Sequence, residues 1–470
     1  MAAFEQLDKP PEGRGQARLQ QAIDILTSVL RGHDEQARAQ RMALFAFGIR
    51  VVSAAIAFVS QIIMARLMGN FEYGLFTFVW VMTLLIGNLS CLGFHTTIIR
   101  FLPEYREAGA FAEIRGLTST ARLFAMSVAT GVGISGLVAL HFLGDHISSY
   151  YVMPLFLGIF ALPMVALGDI QEGTGRANSW ALAALGPTYI IRPTLILVFM
   201  GLAAYLGYPH TAQTAMICAL AAVYTTSVGQ FLFVITRIGK HYPTPHRTIE
   251  FSHWFRIAFP IFLIEGFVFL LTNSDVVVVG FYLDPTKVAI YFAAAKTMSL
   301  VHFVFFSVKA AASARFSALW AVGDKKGLER FASQAARWTF LPSLALGLFV
   351  LLVGRFLLSL FGQDFVAGYP LLGILLVGIL AKASIGPGEG LLSMVGEQRR
   401  CVAIYASALT VNILLNITLI PMLGLYGVAC AVSGAMIFEA LALHIVIRRT
   451  LGISLSAFTR GGSASKPTER

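Results

Sequence analysis

Residues 402–438 read VAIYASALTVNILLNITLIPMLGLYGVACAVSGAMIF, a run of 37 residues without a charged side chain. A helix needs about 20 mostly apolar residues to cross the hydrocarbon core of a bilayer, so this run is long enough for two crossings. Pro421 and Gly424 lie near its middle, and both residue types favour helix ends. The run therefore predicts two transmembrane helices, near 402–421 and 425–447, joined by a very short loop.

The composition of the whole chain is that of an all-α membrane protein. Of the 470 residues, 57% are hydrophobic and 13% are charged, and the mean hydropathy is +0.74. A soluble protein of this length would carry about twice that charged fraction, so a soluble globular fold is excluded. The same search for apolar runs predicts about twelve spans, near 43–66, 74–93, 122–143, 150–170, 181–205, 212–236, 256–280, 288–312, 337–358, 367–390, 402–421 and 425–447.

The basic residues are distributed unequally between the two sides of the membrane. If both termini are cytoplasmic, 27 of the 35 Lys and Arg residues face the cytoplasm, 3 lie in the opposite loops and 5 lie inside spans. The positive-inside rule predicts this asymmetry for an even number of spans. Topology and attraction to membrane lipids thus explain the net charge of +11, and no nucleic-acid partner is expected. We predict a multi-pass protein of the bacterial inner membrane.

The domain organisation follows from the charged segment 237–255, which contains Pro243 and Pro245. It separates six spans from six, so both halves enter the membrane in the same sense. This arrangement is typical of parallel repeats with a substrate path between them. The spacing of Leu and Ile in Gln16–Leu30 predicts a helix that either lies on the membrane surface or caps the bundle. The predicted parts are a cytoplasmic N-terminal segment 1–42, a first lobe 43–236, a cytoplasmic linker 237–255, a second lobe 256–447 and a cytoplasmic tail 448–470.

Four basic residues at depth in different spans indicate a functional site, because a charge in hydrocarbon is costly unless it faces a cavity, a partner or a substrate. Two lie in each half, and they outnumber the deep acids. Together they predict a water-filled cavity with a positive interior that suits phosphate or diphosphate. The predicted substrate-binding residues are Arg50, Arg192, Lys296 and Lys382.

Among the acidic residues in predicted spans, Asp275 lies near the outer end of the seventh and Glu389 at the inner end of the tenth. The deeper ones are Glu265 and Glu439. Two interpretations of them stay open: they couple transport to an ion, or they pair with basic residues and hold helices together.

The sequence provides no set of residues for catalysis or for a cofactor. Neither GxxxxGK[ST] nor GxSxG occurs, and the embedded acids are scattered over separate helices. His95 and His302 have no partner at the spacing of metal ligands, so no metal site is expected. We therefore expect a protein that is not an enzyme and that needs no cofactor.

Four stretches resemble Wzx-type polysaccharide and O-antigen flippases of the multidrug/oligosaccharidyl-lipid/polysaccharide exporter superfamily. Each stretch consists of common residue types, but their order and spacing extend over residues 43–453. They are ARLMGNFEYGLF at 65–76, LGFHTTIIRFLPEY at 92–105, NSD at 273–275 with YFAAAK at 291–296, and GEQ at 396–398 with GVA at 427–429.

The resemblance implies two six-helix lobes arranged as a V around a central cavity. It also implies an undecaprenyl-diphosphate-linked oligosaccharide as substrate, moved between the leaflets for surface polysaccharide or lipopolysaccharide synthesis. A polysaccharide polymerase and export machinery are the implied partners. Two alternatives are a cation-coupled multidrug or metabolite exporter of the same superfamily, in which acids should dominate the cavity, and a membrane enzyme of polysaccharide assembly, which would need a larger outer loop.

Overall fold

The structure is a computed structural model that describes residues 35–244, 246–453, 455 and 457. The predicted helix at Gln16–Leu30 lies outside these residues. The described part contains fourteen α-helices and no strand, so the predicted all-α membrane fold is confirmed. The helices are α1 (Glu35–Leu89), α2 (Phe94–Glu107), α3 (Phe111–Leu143), α4 (Ser149–Ala177), α5 (Ala181–Gly186), α6 (Arg192–Tyr205), α7 (Ala212–His241), α8 (Phe251–Tyr282), α9 (Pro285–Ala321), α10 (Lys325–Phe361), α11 (Tyr369–Ile385), α12 (Gly388–Met394), α13 (Gln398–Leu423) and α14 (Leu425–Leu451).

Within the described chain, eleven segments are long and apolar enough to cross a membrane. The first of them consists of two helical arms. That segment, Val52–Leu89, is interrupted at Gly69, which has φ 77° and ψ 171° and is not helical. The Tyr73 hydroxyl donates to Gln61 Oε1 over 2.8 Å. Residues twelve apart in a straight helix would be about 18 Å apart, so the chain reverses at Gly69. Counting both arms gives the twelve predicted spans.

Two other predicted spans are continuous only in part. A π-helical turn at Pro187–Ile191 separates α5 from α6, where the two nearby prolines weaken regular hydrogen bonding. Gly386, with φ 64°, ends α11, and the chain restarts as α12 after Pro387. Irregular backbone at these depths is tolerated where protein surrounds it.

The connections fall at two ends of the bundle. We call one the Gly69 end; it holds the turns at 69, 144–148, 206–211, 283–284, 362–368 and 424. We call the other the basic end; it holds the turns at 108–110, 178–180, 242–250, 322–324 and 395–397.

The buried apolar residues form three main clusters, and their distribution shows how the halves meet. The cluster at the Gly69 end contains residues of both halves, for example Tyr73 and Met216 with Phe292 and Leu372. Toward the basic end, a second cluster belongs to α2, α3, α4, α7 and the start of α8, and a third belongs to α9–α14. The halves therefore share one core at the Gly69 end, and at the basic end their cores are separate except that the start of α8 packs in the second cluster.

Helix α8 contacts both halves. Its first turns pack on the first half, where Trp254 Nε1 donates to the Tyr105 hydroxyl over 2.9 Å. Farther along, Phe267 and Leu271 pack against the third cluster, and Val276 belongs to the shared core. The α8 helix thus connects the two halves at three levels.

Candidate functional site

Lys296 on α9 presents an unpaired positive charge beside the junction of the halves. Its side chain is exposed, and its ammonium lies 5.0 Å from the centre of the Phe292 ring. Phe292 contacts Tyr73 of the first half edge-on, with ring centres 6.3 Å apart. Among the described residues, no carboxylate lies within ion-pair distance of Lys296. A lysine inside a membrane span without a paired carboxylate is a candidate contact for an anionic ligand.

Asp275 on α8 is the acidic residue whose charge acts on Lys296, but its carboxylate forms hydrogen bonds with other groups. Its carboxylate accepts a hydrogen bond from the Tyr291 hydroxyl over 2.6 Å and another from the Val276 amide over 2.9 Å. The bond from Tyr291 joins α9 to α8 five residues before Lys296, and the bond from Val276 lies within α8. They fix the helix face that presents the ammonium.

Arg192 lies at the start of α6, directly after the π-helical turn, and is 5% exposed. A Cβ atom added at Gly168 would lie 3.1 Å from its Nη2 atom, so the guanidinium packs closely on α4 at this glycine. The charges of Asp169 and Glu172 act on it, but neither carboxylate is within ion-pair distance. Its Nε atom is buried, and no described residue accepts a hydrogen bond from it. Arg192 therefore belongs to a polar cluster inside the first half.

That cluster contains acids that the sequence did not single out. Asn88 Nδ2 donates to an Asp169 oxygen over 2.8 Å, and Glu172 lies 3.9 Å from Arg176. Asp169 lies at the end of the predicted span 150–170, and α4 continues to Ala177, so both Asp169 and Glu172 are on this helix and are partly buried.

Glu265 is held by two residues of α2. Its Oε2 atom lies 3.1 Å from His95 Nε2, and the Thr96 hydroxyl lies 2.8 Å from both carboxylate oxygens. These contacts attach the middle of α8 to the first half. His95, which has no neighbour at metal-ligand spacing in the sequence, is thus paired in space.

Lys382 and Glu439 form an ion pair inside the second half. Lys382 Nζ on α11 lies 2.8 Å from Glu439 Oε1 on α14, and the Glu439 side chain is 1% exposed. The Lys382 ammonium also lies 5.2 Å from the centre of the Phe305 ring on α9. A second ion pair, between Lys309 and Glu389, connects α9 with α12. Of the two interpretations of Glu439, helix pairing is the one that this geometry favours.

The structure thus does not bring the predicted cations into one cluster. Arg192 lies within the first half, Lys382 within the second, and Lys296 on an exposed face next to their junction. Arg50 is part of α1, but its side chain is outside the described part of the chain. No group of three His, Cys, Asp or Glu residues capable of holding a metal ion occurs among the described residues.

The fold is that of known transporters. An inward-facing multidrug resistance transporter of the MATE family in the MOP superfamily superposes with a TM-score of 0.69 at 13% identity, over 85% of this chain and 94% of that one. The lipid II flippase MurJ, in an inward closed conformation, gives 0.67 at 14% identity, over 86% and 87%. A MOP superfamily transporter from Pyrococcus furiosus gives 0.61 at 14% identity, over 90% and 97%. No curated protein sequence matches the chain.

Family models match the sequence itself. The model described as MatE matches residues 260–418. The model described as polysaccharide biosynthesis protein matches residues 41–320, which is more than half of the chain. The protein therefore has the fold of the MOP superfamily transporters, and it belongs to the polysaccharide biosynthesis protein family.

Proposed function

We propose that this protein is a flippase that moves undecaprenyl-diphosphate-linked oligosaccharide across the inner membrane for surface polysaccharide or lipopolysaccharide synthesis. The observation that carries the proposal is the exposed ammonium of Lys296 beside the junction of the halves, which no described carboxylate pairs with. Membership of the polysaccharide biosynthesis family and the fold shared with a lipid II flippase support the same class of substrate.

The path of the substrate follows from the three cores. With both termini in the cytoplasm, the basic end faces the cytoplasm and the shared core closes the opposite end. An anionic headgroup then enters between the separate cores from the inner leaflet and reaches Lys296. Its lipid chain remains in the bilayer, because the apolar chain gains nothing from a polar cavity.

The remaining predicted residues have different parts in this proposal. Arg50 and Arg192 are proposed as further contacts for the diphosphate, whereas the charge of Lys382 is balanced by Glu439 inside the second half. Glu439 pairs with Lys382, and Glu265 pairs with His95 to hold α8 against the first half. A polysaccharide polymerase and the export machinery would receive the flipped oligosaccharide.

A transport assay in vesicles tests the substrate. The purified protein is reconstituted with fluorescent undecaprenyl-diphosphate-linked oligosaccharide, and a reagent that cannot cross the bilayer quenches the label in the outer leaflet. We expect the protein to bring the protected label into the accessible leaflet. Vesicles without protein and vesicles with heat-inactivated protein are the controls, and a rate equal to theirs would contradict the proposal.

The alternative is a cation-coupled exporter, and one observation favours it. Asp169 and Glu172 lie in the interior of the first half without a close ion pair to Arg192. An export assay with a cationic dye loaded into the same vesicles distinguishes the exporter from the flippase. Export of the dye driven by an imposed proton or sodium gradient, without movement of the lipid-linked sugar, would replace the flippase proposal with the exporter.

A further inference from the structure

Three arginines lie close together at the basic end of the first half, away from Lys296. Arg115 and Arg122 are seven residues apart on α3, which is two helical turns, so they occupy the same face. Arg247 belongs to the segment between α7 and α8. The described charged side chains that act on Arg122 are Arg115 and Arg247, and both are positive.

The segment containing Arg247 is fixed along α3. Arg115 Nη1 donates to the Thr244 carbonyl over 2.6 Å, and the Thr248 amide donates to the Ala112 carbonyl over 3.1 Å. Gly116 lets the Thr248 carbonyl approach the helix, because a Cβ atom there would overlap it. These contacts hold the backbone on both sides of Arg247 beside α3, and they hold the Arg115 guanidinium against the same segment.

Arg122 has an unused donor inside this group. Its side chain is 9% exposed, and its Nε atom donates to the Thr118 carbonyl over 2.8 Å. The Nη1 atom is buried and has no hydrogen-bond partner among the described residues. A buried charged donor without an acceptor is costly, and the repulsion of two further arginines adds to that cost. An anion placed among the three would relieve both.

We propose that Arg115, Arg122 and Arg247 bind the phosphate group of a membrane lipid. Arg122 marks the start of the third predicted span, at the depth where lipid phosphates lie, and arginine binds phosphate through its planar guanidinium. The phosphate comes either from an anionic phospholipid or from the diphosphate of the lipid-linked sugar. With a phospholipid in the site the proposal does not depend on the transported substrate, and with the lipid-linked sugar it rests on the proposed function.

Lipid-dependent stability tests the site. The full-length protein is placed in nanodiscs of phosphatidylcholine alone, or with increasing fractions of phosphatidylglycerol, or with undecaprenyl diphosphate, and its melting temperature is measured. Inorganic diphosphate in solution is a further arm. We expect a rise of several degrees with at least one lipid phosphate. At equal concentrations of lipid phosphate, the lipid that raises the melting temperature more is the one that supplies the phosphate group.

Three variants make the test specific to this site. In R122Q and in R247Q we expect the stabilising lipid to act only at about tenfold higher fraction, because one charge-assisted hydrogen bond or contact is lost. Arg247 is exposed, so R247Q keeps the test decisive if R122Q does not fold. R237Q removes an exposed arginine at the same end that stacks on Trp180, and it should respond like the wild type. Equal responses of R247Q and wild type, or no response of the wild type to any lipid phosphate, would overturn the proposal.

Discussion

The side-chain amide of Asn70 donates to a carboxylate oxygen of Asp364 over 2.9 Å, which joins the Gly69 turn of the first half to the segment after α10 in the second. Nearby, Arg66 donates to the carbonyls of Ser359 and Leu360 over 2.6 and 2.7 Å. These carbonyls lie at the end of α10, where backbone acceptors have no partner within the helix. The bonds hold the halves together at the Gly69 end, and they must break before the halves can separate there.

Covalent attachment at this position should stop transport. In a background without the four native cysteines, N70C/D364C treated with a short bis-methanethiosulfonate, which forms a disulfide with each cysteine, should lose most transport activity and regain it on reduction. The physical reason is that the crosslinked halves cannot separate at the Gly69 end. Transport of the lipid-linked sugar in vesicles, with the crosslinked fraction measured on the same sample, provides the readout.

The control is a crosslink within one half. Glu72 accepts a hydrogen bond from the Ala212 amide over 2.6 Å, and both residues belong to the first half. E72C/A212C should therefore crosslink with little effect on transport. Full activity of quantitatively crosslinked N70C/D364C would show that separation at this end is not part of the transport cycle.

Gly74 lets α1 and the start of α9 pack closely at the Gly69 end. A Cβ atom at this position would overlap the carbonyl oxygen of Pro285, so the G74A variant must displace the start of α9. We expect a loss of about 1–3 kcal/mol in stability, the usual cost of overpacking. Thermal unfolding of the purified protein measures it. In G131A the new methyl group meets no atom within 4 Å, so that variant should be at least as stable as the wild type.

If G74A melts at the wild-type temperature while remaining folded and active, then α9 does not pack as closely on α1 as the structure describes. The comparison with G131A removes the general effect of replacing glycine by alanine in a helix.

The sequence predicted the helices well because each span carries its own signal, a run of apolar residues bounded by turns. The Gly69 turn, for example, was recognisable as the boundary between two spans. The boundaries were less accurate where helices extend beyond the bilayer: α3 begins at Phe111 and α10 at Lys325, each about three turns before the predicted span. Charged residues on those extra turns hide the continuation from a hydropathy window.

The partners of the embedded charges could not be predicted, because they depend on contacts between distant segments. Thr96 and Glu265 are 169 residues apart in the chain, and nothing in either local sequence indicates that they meet. Lys382 and Glu439 were both recognised as embedded, but their spacing leaves open whether each faces a cavity or the other. The roles of Arg192, Lys296 and Lys382 in substrate binding remain predictions.

The Lys382–Glu439 pair should show strong coupling in stability. K382M leaves the Glu439 carboxylate buried without a counter-charge, which typically costs about 3–5 kcal/mol. E439Q alone removes the ion pair but keeps a group that accepts a hydrogen bond, so its effect should be smaller. The double variant K382M/E439Q should recover most of the stability that K382M loses. Melting temperatures of all four proteins, measured in one detergent, complete the cycle.

Additive effects of K382M and E439Q would contradict this expectation. They would indicate that the two side chains are separated in the membrane and that Lys382 is available to a ligand. Transport assays on the same variants then show whether Lys382 belongs to the substrate path.

Replacing Lys296 should reduce substrate binding and leave the stability of the protein nearly unchanged. Because its ammonium is exposed and has no carboxylate within ion-pair distance among the described residues, K296Q should fold with a nearly unchanged melting temperature. Loss of one charge-assisted contact to the anionic headgroup should reduce transport about tenfold, and K296R, which keeps the charge, should retain more activity than K296Q.

K287Q is the matched control, since Lys287 is an exposed lysine at the Gly69 end that lies 3.4 Å from Asp284, and its loss should leave transport unchanged. Wild-type transport by K296Q would mean that the unpaired charge does not contact the cargo, and the proposed headgroup site would then have to lie elsewhere between the halves.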